Sequence, residues 1–342
     1  MKKDKIMKVT TKISSLFGAV LLLAGLQACK NDLPATPEKH YPILFSCDDI
    51  VTRSANVATK EDLQEYGFHV WGFYLAGTPN ANNHIESGNV FSFDGHVKHN
   101  NSVYGFTDIT EYWWVADYVF AAMYPDPVKN PDNGINVTME ATPGAEGMSL
   151  YGELTYNDIS KQVDLLYTES AVRSRNTNGT VGPVNENGVP SSTSVPLTFS
   201  HMLSKINIQL KSEIALTVES VTLNNISKGG TISSGQYWTS LGEYVDYTYT
   251  CNPVVDINAL TTIPVPITGD GILVIPGQAS GFSITIVTTE EEYTSEVIPN
   301  PAWQNGKQYT YTATIKQKNI IFDEPEVAVW DKESATGSVI IK

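Results

Sequence analysis

Alternation is what most constrains this chain. From residue 197 onward, Leu197, Phe199 and His201 stand two apart, and Ile206, Ile208 and Leu210 carry the pattern on. Phe282, Ile284 and Ile286 alternate with Ser283, Thr285 and Val287, while Tyr309, Tyr311, Ala313 and Ile315 alternate with threonines. A period of two places such side chains on one face of an extended chain, the pattern of a half-buried strand. Residues 218–223, 245–251 and 271–275 are further strand candidates, set apart by Gly, Pro and Asn turns. About seven such strands between residues 196 and 316 suffice for one β-sandwich.

The first half is less regular. Residues 41–50, 68–75, 112–124 and 164–169 read as strands, the third closed by the turn Tyr124-Pro125-Asp126-Pro127. Only residues 59–66 read as a helix. Gly179, Gly182, Pro183, Gly188 and Pro190, mixed with Asn and Ser, make residues 173–194 the best candidate linker. A length of 342 residues fits two domains. The expected architecture is therefore all-β, with one sandwich over 54–195 and a second over 196–342. With 41% apolar residues the chain is neither disordered nor fibrous. A net charge of −15 argues against nucleic acid or an anionic membrane surface as partner.

The N-terminus reads as an address. Lys2, Lys3, Lys5, Lys8 and Lys12 precede an uncharged apolar run over residues 16–26, which ends in Gln27-Ala28-Cys29. A basic region, a short apolar run and small residues make a secretory signal over residues 1–28. Eleven residues rise only about 16 Å as a helix, too little for a bilayer core of about 30 Å. Leu26-Gln27-Ala28-Cys29 resembles a bacterial lipobox, whose cysteine becomes the acylated first residue of the mature protein. Residues 29–53 then read as a tether followed by a first strand. Cys47 and Cys251 lie in strand patterns and read as buried thiols rather than a disulfide.

No catalytic constellation emerges. The chain has no Gly-x-Ser-x-Gly, phosphate loop, Gly-x-Gly-x-x-Gly or Cys-x-x-Cys, so neither an enzyme nor a cofactor is expected. His96 and His99, near Asp94, read as solvated hairpin residues rather than metal ligands, and Asp48-Asp49 as the exposed end of a strand. His201 shares the Leu197/Phe199 face and reads as a satisfied core histidine. Tyr112, Trp113, Trp114, Tyr118 and Phe120 are candidates for stacking on sugars, although alternate members of such a run fill a sandwich core. Basic residues near the N-terminus are Lys39, Arg53 and Lys60, with Arg173 and Arg175 in the candidate linker.

Seven segments, taken in order along the chain, resemble one family. They are the end at Cys29; the Thr52-Arg53 pair; Tyr118-Val119-Phe120-Ala121-Ala122-Met123-Tyr124-Pro125; Asp164-Leu165-Leu166-Tyr167; Leu197-Thr198-Phe199-Ser200-His201-Met202-Leu203-Ser204-Lys205-Ile206; Ile275-Pro276-Gly277-Gln278; and Trp303-Gln304-Asn305-Gly306-Lys307-Gln308-Tyr309-Thr310-Tyr311. Together they resemble the fimbrillin-like lipoproteins of Bacteroidetes, subunits of protease-assembled pili. The chain departs from that pattern in having Pro276-Gly277-Gln278 where Pro-Gln is expected. The resemblance implies two transthyretin-like β-sandwich domains in tandem and a lipid anchor at Cys29 in the outer membrane. It also implies cleavage between Arg53 and Ser54 by an arginine-specific protease, and polymerisation with other pilus subunits by strand exchange. The tail over 320–342 supplies the apolar alternation a donor strand needs, in Val327 and Val329 and again in Val339 and Ile341. The last regular strand is expected to end near Ile315, leaving that tail without a place in its own sandwich. A second reading is a non-polymerising outer-membrane lipoprotein that binds glycans through exposed aromatics.

Overall fold

The computed structural model describes residues 39–47, 58, 60–129, 135–144, 147–156, 163–185, 187–191, 194–233, 237–240, 243–276, 280–299, 303–316 and 319–329. Its elements begin with β1 (Lys39–His40), β2 (Leu44–Cys47), α1 (Lys60–Tyr66), β3 (Phe68–Ala76), β4 (Asn89–Asn100) and β5 (Val103–Phe106). There follow β6 (Ala116–Tyr124), β7 (Ile135–Gly144), β8 (Gly147–Tyr156), β9 (Leu166–Thr177), β10 (Thr180–Val184) and β11 (Ser194–Leu197). The second half holds β12 (Ser200–His201), β13 (Ser204–Ser212), β14 (Leu216–Ser227), β15 (Gly229–Ser233), β16 (Tyr237–Ser240), β17 (Tyr244–Ile257) and β18 (Thr261–Pro266). It ends with β19 (Ile272–Val274), β20 (Ser283–Thr288), β21 (Glu292–Thr294), β22 (Lys307–Lys316), β23 (Asn319–Phe322) and β24 (Glu326–Val329). The protein is an all-β tandem sandwich. Its helix α1 stops where Gly67, at φ +75°, donates its N–H to the Leu63 carbonyl (3.0 Å), a left-handed cap that glycine adopts without a Cβ penalty.

The first sandwich is one long sheet folded on itself, in the order β1-β10-β9-β6-β3-β4-β5-β2-β11, with β12 also paired to β9. Its central strand β6 is buried on both faces. Ala116, Tyr118, Phe120 and Ala122 point into one core with Ile43, Phe45, Phe68, Tyr104 and Trp113. Val119, Ala121 and Met123 point into another with Phe73, Leu154, Tyr167, Met202, Leu203 and Ile275. A strand covered on both faces has no polar side to alternate with, so it reads as a continuous apolar run.

In the second sandwich, the sheet β18-β13-β22-β23 faces the sheet β17-β14-β20-β21. The alternating residues Ile206, Ile208, Leu210, Ile284, Ile286, Tyr309, Tyr311, Ala313 and Ile315 meet between them. A further sheet, β16-β15-β8-β7, takes two strands from each half of the chain, with Gly229 to Ser233 set antiparallel to Thr155 to Tyr151.

The reading of residues 173–194 as a linker is corrected. β9 runs through Arg173 and Arg175 to Thr177 and turns directly into β10, register Thr180↔Thr177 to Val184↔Arg173. Asn178 (φ +55°) and Gly179 (φ +78°) both sit in the left-handed region, the two-residue turn that matches strand twist. The glycines and prolines there punctuate a hairpin and the short loop that follows it.

Candidate strand-exchange site

The chain's first described segment, residues 39–47, closes the first sandwich. At one end, β1 runs parallel to β10, and the Lys39 N–H donates to the Gly179 carbonyl (3.1 Å). The segment then crosses the sandwich. The Trp113 N–H donates to the Tyr41 carbonyl (3.0 Å) and the Ile43 N–H to the Glu111 carbonyl (2.8 Å). At the other end, β2 lies between β5, through Phe45↔Tyr104, and β11, with Ser194↔Leu44 to Leu197↔Cys47 in parallel register. Ile43 and Phe45 are buried, and the Phe45 ring meets Phe106 and Phe120 edge-on at centroid distances of 5.7 and 5.4 Å. Burial pushes the Tyr104 phenol up, and neighbouring Cys47 pushes it the same way.

Eleven residues beyond this strand the chain is tied down again. The Ala58 N–H donates to Asp164 Oδ2 (3.0 Å), and His201 Nδ1 lies 2.8 Å from the same oxygen. His201 is thus a core histidine, as its place on the Leu197/Phe199 face implies, and Asp164 is its charged neighbour. Removing residues 39–47 would open a groove lined by Tyr104, Phe106, Trp113, Phe120, Val195 and Leu197, flanked by the edges of β5 and β11. Unpaired edges of that kind are templates for another strand.

The opposite terminus carries a lightly held strand. β22 pairs with β13 on one side, while β23 and β24 share its other edge, Lys316↔Asn319 to Ala313↔Phe322 and Thr310↔Glu326 to Lys307↔Val329. The expectation that residues from 320 onward have no place in their own sandwich is therefore corrected for 320–329. The ten-residue edge of β22 would otherwise stand unpaired. Ile320, Phe322 and Val327 are only half-buried against the core, whereas Ile321 and Val329 face outward, 54% and 43% exposed. A groove of about 810 Å³, lined by Val297, Ile298, Tyr311 and residues 319–325, runs beside this tail. Cys29, Arg53, Ser54, Val339 and Ile341 lie outside the described residues, as do Asp48 and Asp49.

The aromatic run divides by burial. Trp113, Tyr118 and Phe120 are core, and Tyr112 and Trp114 are about half exposed. Trp114 and His40, ring centroids 4.7 Å apart, help line a slot of about 480 Å³. The stacked rings of Tyr74 and Phe91 and the side chains of Ala76, Val115 and Val181 complete its lining. Cys47 and Cys251 are not joined; the Cys251 thiol is buried, donates to the Ile267 carbonyl (3.3 Å), and is pushed up by that burial.

Sequence reasoning missed two buried polar clusters. His96 is buried, not solvated: its Nδ1 lies 2.6 Å from Asp126 Oδ2. His69 sits between Asp126 Oδ1 (3.3 Å) and Asp94 Oδ2 (3.1 Å). Asp126 Oδ1 also accepts the N–H groups of Val128 and Lys129. Burial alone would raise the Asp126 carboxyl, but the bonds from His69, His96 and Lys129 outweigh it and hold the group well below the usual carboxylate range. A histidine inside the apolar run Phe68-His69-Val70-Trp71 was the available signal, since a buried imidazole needs a partner. In the second cluster Arg175, on β9, pairs with Asp117 on β6 at 2.6 Å. Among the described residues no group of three or more His, Cys, Asp or Glu is placed to hold a metal ion.

Fold and site together define a class: a tandem β-sandwich whose first strand plugs its own core and whose last strands lie on an open edge. A sequence profile described as fimbrillin-like matches residues 58–330, and the chain belongs to the fimbrillin-like family. A fimbrial protein from Bacteroides vulgatus has the same fold, with TM-score 0.54 at 17% identity, over 84% of this chain and 99% of its own. A fimbrial assembly protein from Parabacteroides distasonis aligns at TM-score 0.40 and 9% identity, over 85% of this chain and 100% of its own. The fimbrial anchor protein of Porphyromonas gingivalis aligns at TM-score 0.36 and 11% identity, over 85% and 98%. No curated protein matches the chain.

Proposed function

We propose that this protein is a structural subunit, shaft or tip, of a cell-surface fimbria that supports adhesion. It is exported as a lipoprotein acylated at Cys29 and held in the outer membrane. An arginine-specific protease cuts it between Arg53 and Ser54, after which it polymerises with other fimbrial subunits by donor-strand exchange. One observation carries this reading. The strand that completes the first core, with Ile43 and Phe45 buried, lies wholly before Arg53, while Ala58 just after it is anchored to Asp164. Cutting there would remove a core strand and leave the rest of the sandwich attached. The two anchors together represent about 3–6 kcal/mol of apolar burial, which an incoming strand would restore.

The tail suits the donor role because its apolar residues face both ways. Ile321 and Val329 leave about half of their side chains exposed in their present positions, and Val327, Val339 and Ile341 complete the set of apolar anchors. The domain division follows as a signal over 1–28, a removable segment over 29–53, and sandwiches over 54–195 and 196–342. No catalytic, cofactor or nucleic-acid role is proposed.

The test is truncation of residues 336–342. The shortened subunit is expected to keep its melting temperature yet form no ladders with cleaved full-length protein. Unfolding of the truncated monomer would make the tail an ordinary core strand and overturn the mechanism.

A further inference from the structure

Only three of the 22 basic residues in this chain are arginines: Arg53, Arg173 and Arg175. The last two lie on β9, an interior strand held between β10 and β6, with Arg173 opposite Val184 on one side and Asp117 on the other. A guanidinium carries five N–H donors, and on Arg175 all five are used. Nε donates to Asn83 Oδ1 (2.9 Å), Nη1 to the carbonyls of Ala116 and Ser174 (both 2.9 Å), and Nη2 to the Asn83 carbonyl and Asp117 Oδ1 (both 2.6 Å). Arg173 reaches His84 Nε2 through Nη2, and His84 Nδ1 lies 3.6 Å from Asp117. The second oxygen of Asp117 accepts the Ile85 N–H (2.8 Å). The loop between β3 and β4 is thereby folded over both arginines, with Asn83 in the left-handed region at φ +62° to present its two oxygens to one guanidinium.

We propose that this clamp, built from Asn83, His84 and Asp117, withholds Arg173 and Arg175 from arginine-specific proteases for as long as the chain is folded. The inference rests on the maturation reading only in naming Arg53 as the arginine left over. Its physical basis is separate. A protease must bind several residues around the scissile bond as an extended, unpaired strand and take the guanidinium into its own pocket. For β9 that requires stripping the strand from both neighbours and releasing five hydrogen bonds, so cleavage follows the rare opening of the sheet. Asp117 and Asn83 then act as specificity determinants of a processing step whose scissile bond they do not touch.

The experiment is digestion of the purified full-length precursor by an endoprotease specific for arginine, with new N-termini identified over time, folded and in urea. Folded protein is expected to yield Ser54 as its new N-terminus, and unfolded protein Ser54, Ser174 and Asn176. Folded Asp117→Ala, checked by circular dichroism, should be cut after Arg173 or Arg175 at least tenfold faster than wild type. If the alanine variant does not fold, Asn83→Gly, which removes the Oδ1 contact while tolerating the φ of +62° at that position, takes its place with the same expectation. Cleavage of folded wild type after Arg173 or Arg175 at the rate of Arg53 would overturn the proposal, and so would a folded clamp variant cut no faster than wild type. Protection of both β9 arginines without any cut at Arg53 would support the clamp and count against the maturation reading instead.

Discussion

Phe45→Ala in the uncleaved precursor tests whether the first strand is a core element. The ring is fully buried and meets two others edge-on. Its transfer from water accounts for about 1.5–3 kcal/mol, and each edge-to-face pair adds about 0.5–1.5 kcal/mol. Neighbouring strands β5 and β6 are fixed by their own ladders, so the site collapses only partly, and a loss of about 3–5 kcal/mol is expected. For a sandwich of this size that corresponds to a drop of about 6–20 °C in melting temperature. Urea unfolding followed by tryptophan emission suits the measurement, because Trp113 is buried 6.1 Å from Phe120, the ring that Phe45 touches. After cleavage at Arg53 the variant and wild type are the same mature chain, and their melting temperatures should coincide. A loss below about 1 kcal/mol in the precursor would mean that Phe45 fills no real vacancy, and the plug argument would fail.

Asp126→Ala leaves two buried histidines without their shared carboxylate, and a loss of about 3–5 kcal/mol is expected at pH 7. Because the folded carboxyl lies below its unfolded value, its contribution is complete above the usual carboxylate pKa and is lost as the pH falls below about 4. The gap between wild type and variant, measured by chemical denaturation from pH 7 to pH 3, should therefore narrow at the acid end; a constant gap would contradict this. Val329→Asp, on the outward face of β24, should change monomer stability by less than about 0.5 kcal/mol while stopping incorporation into ladders. Normal ladders from that variant would exclude Val329 as an anchor.

Strands β13, β20 and β22 were legible because each has one face on a core and the other on polar surroundings, so composition alternates with geometry. Strands β3 and β6 were legible as apolar runs for the opposite reason. The first strand showed its anchors in Ile43 and Phe45. Its insertion between β5 and β11 left no trace, since parallel pairing with residues 194–197 has no local pattern. The β9–β10 hairpin was obscured by Arg173 and Arg175, which suggest solvent until Asp117, 58 residues earlier than Arg175, is brought beside them. His96 misled in the same way, its partner Asp126 lying 30 residues away. Charges neutralised by distant partners are invisible to any short window.

The small sheet β16-β15-β8-β7 has a mechanical consequence. Five residue pairs, Gly229↔Thr155 to Ser233↔Tyr151, join a hairpin of the first half to a hairpin of the second through backbone hydrogen bonds. Ser200 and His201 add another link by pairing with Tyr167 and Leu166 on β9. The connection between the two sandwiches is therefore not a single covalent thread free to swivel. Moving one sandwich against the other loads these backbone pairs as well as the covalent connection. Within one molecule, relative movement of the two sandwiches is thus resisted by hydrogen-bonded backbone and not by side-chain packing alone.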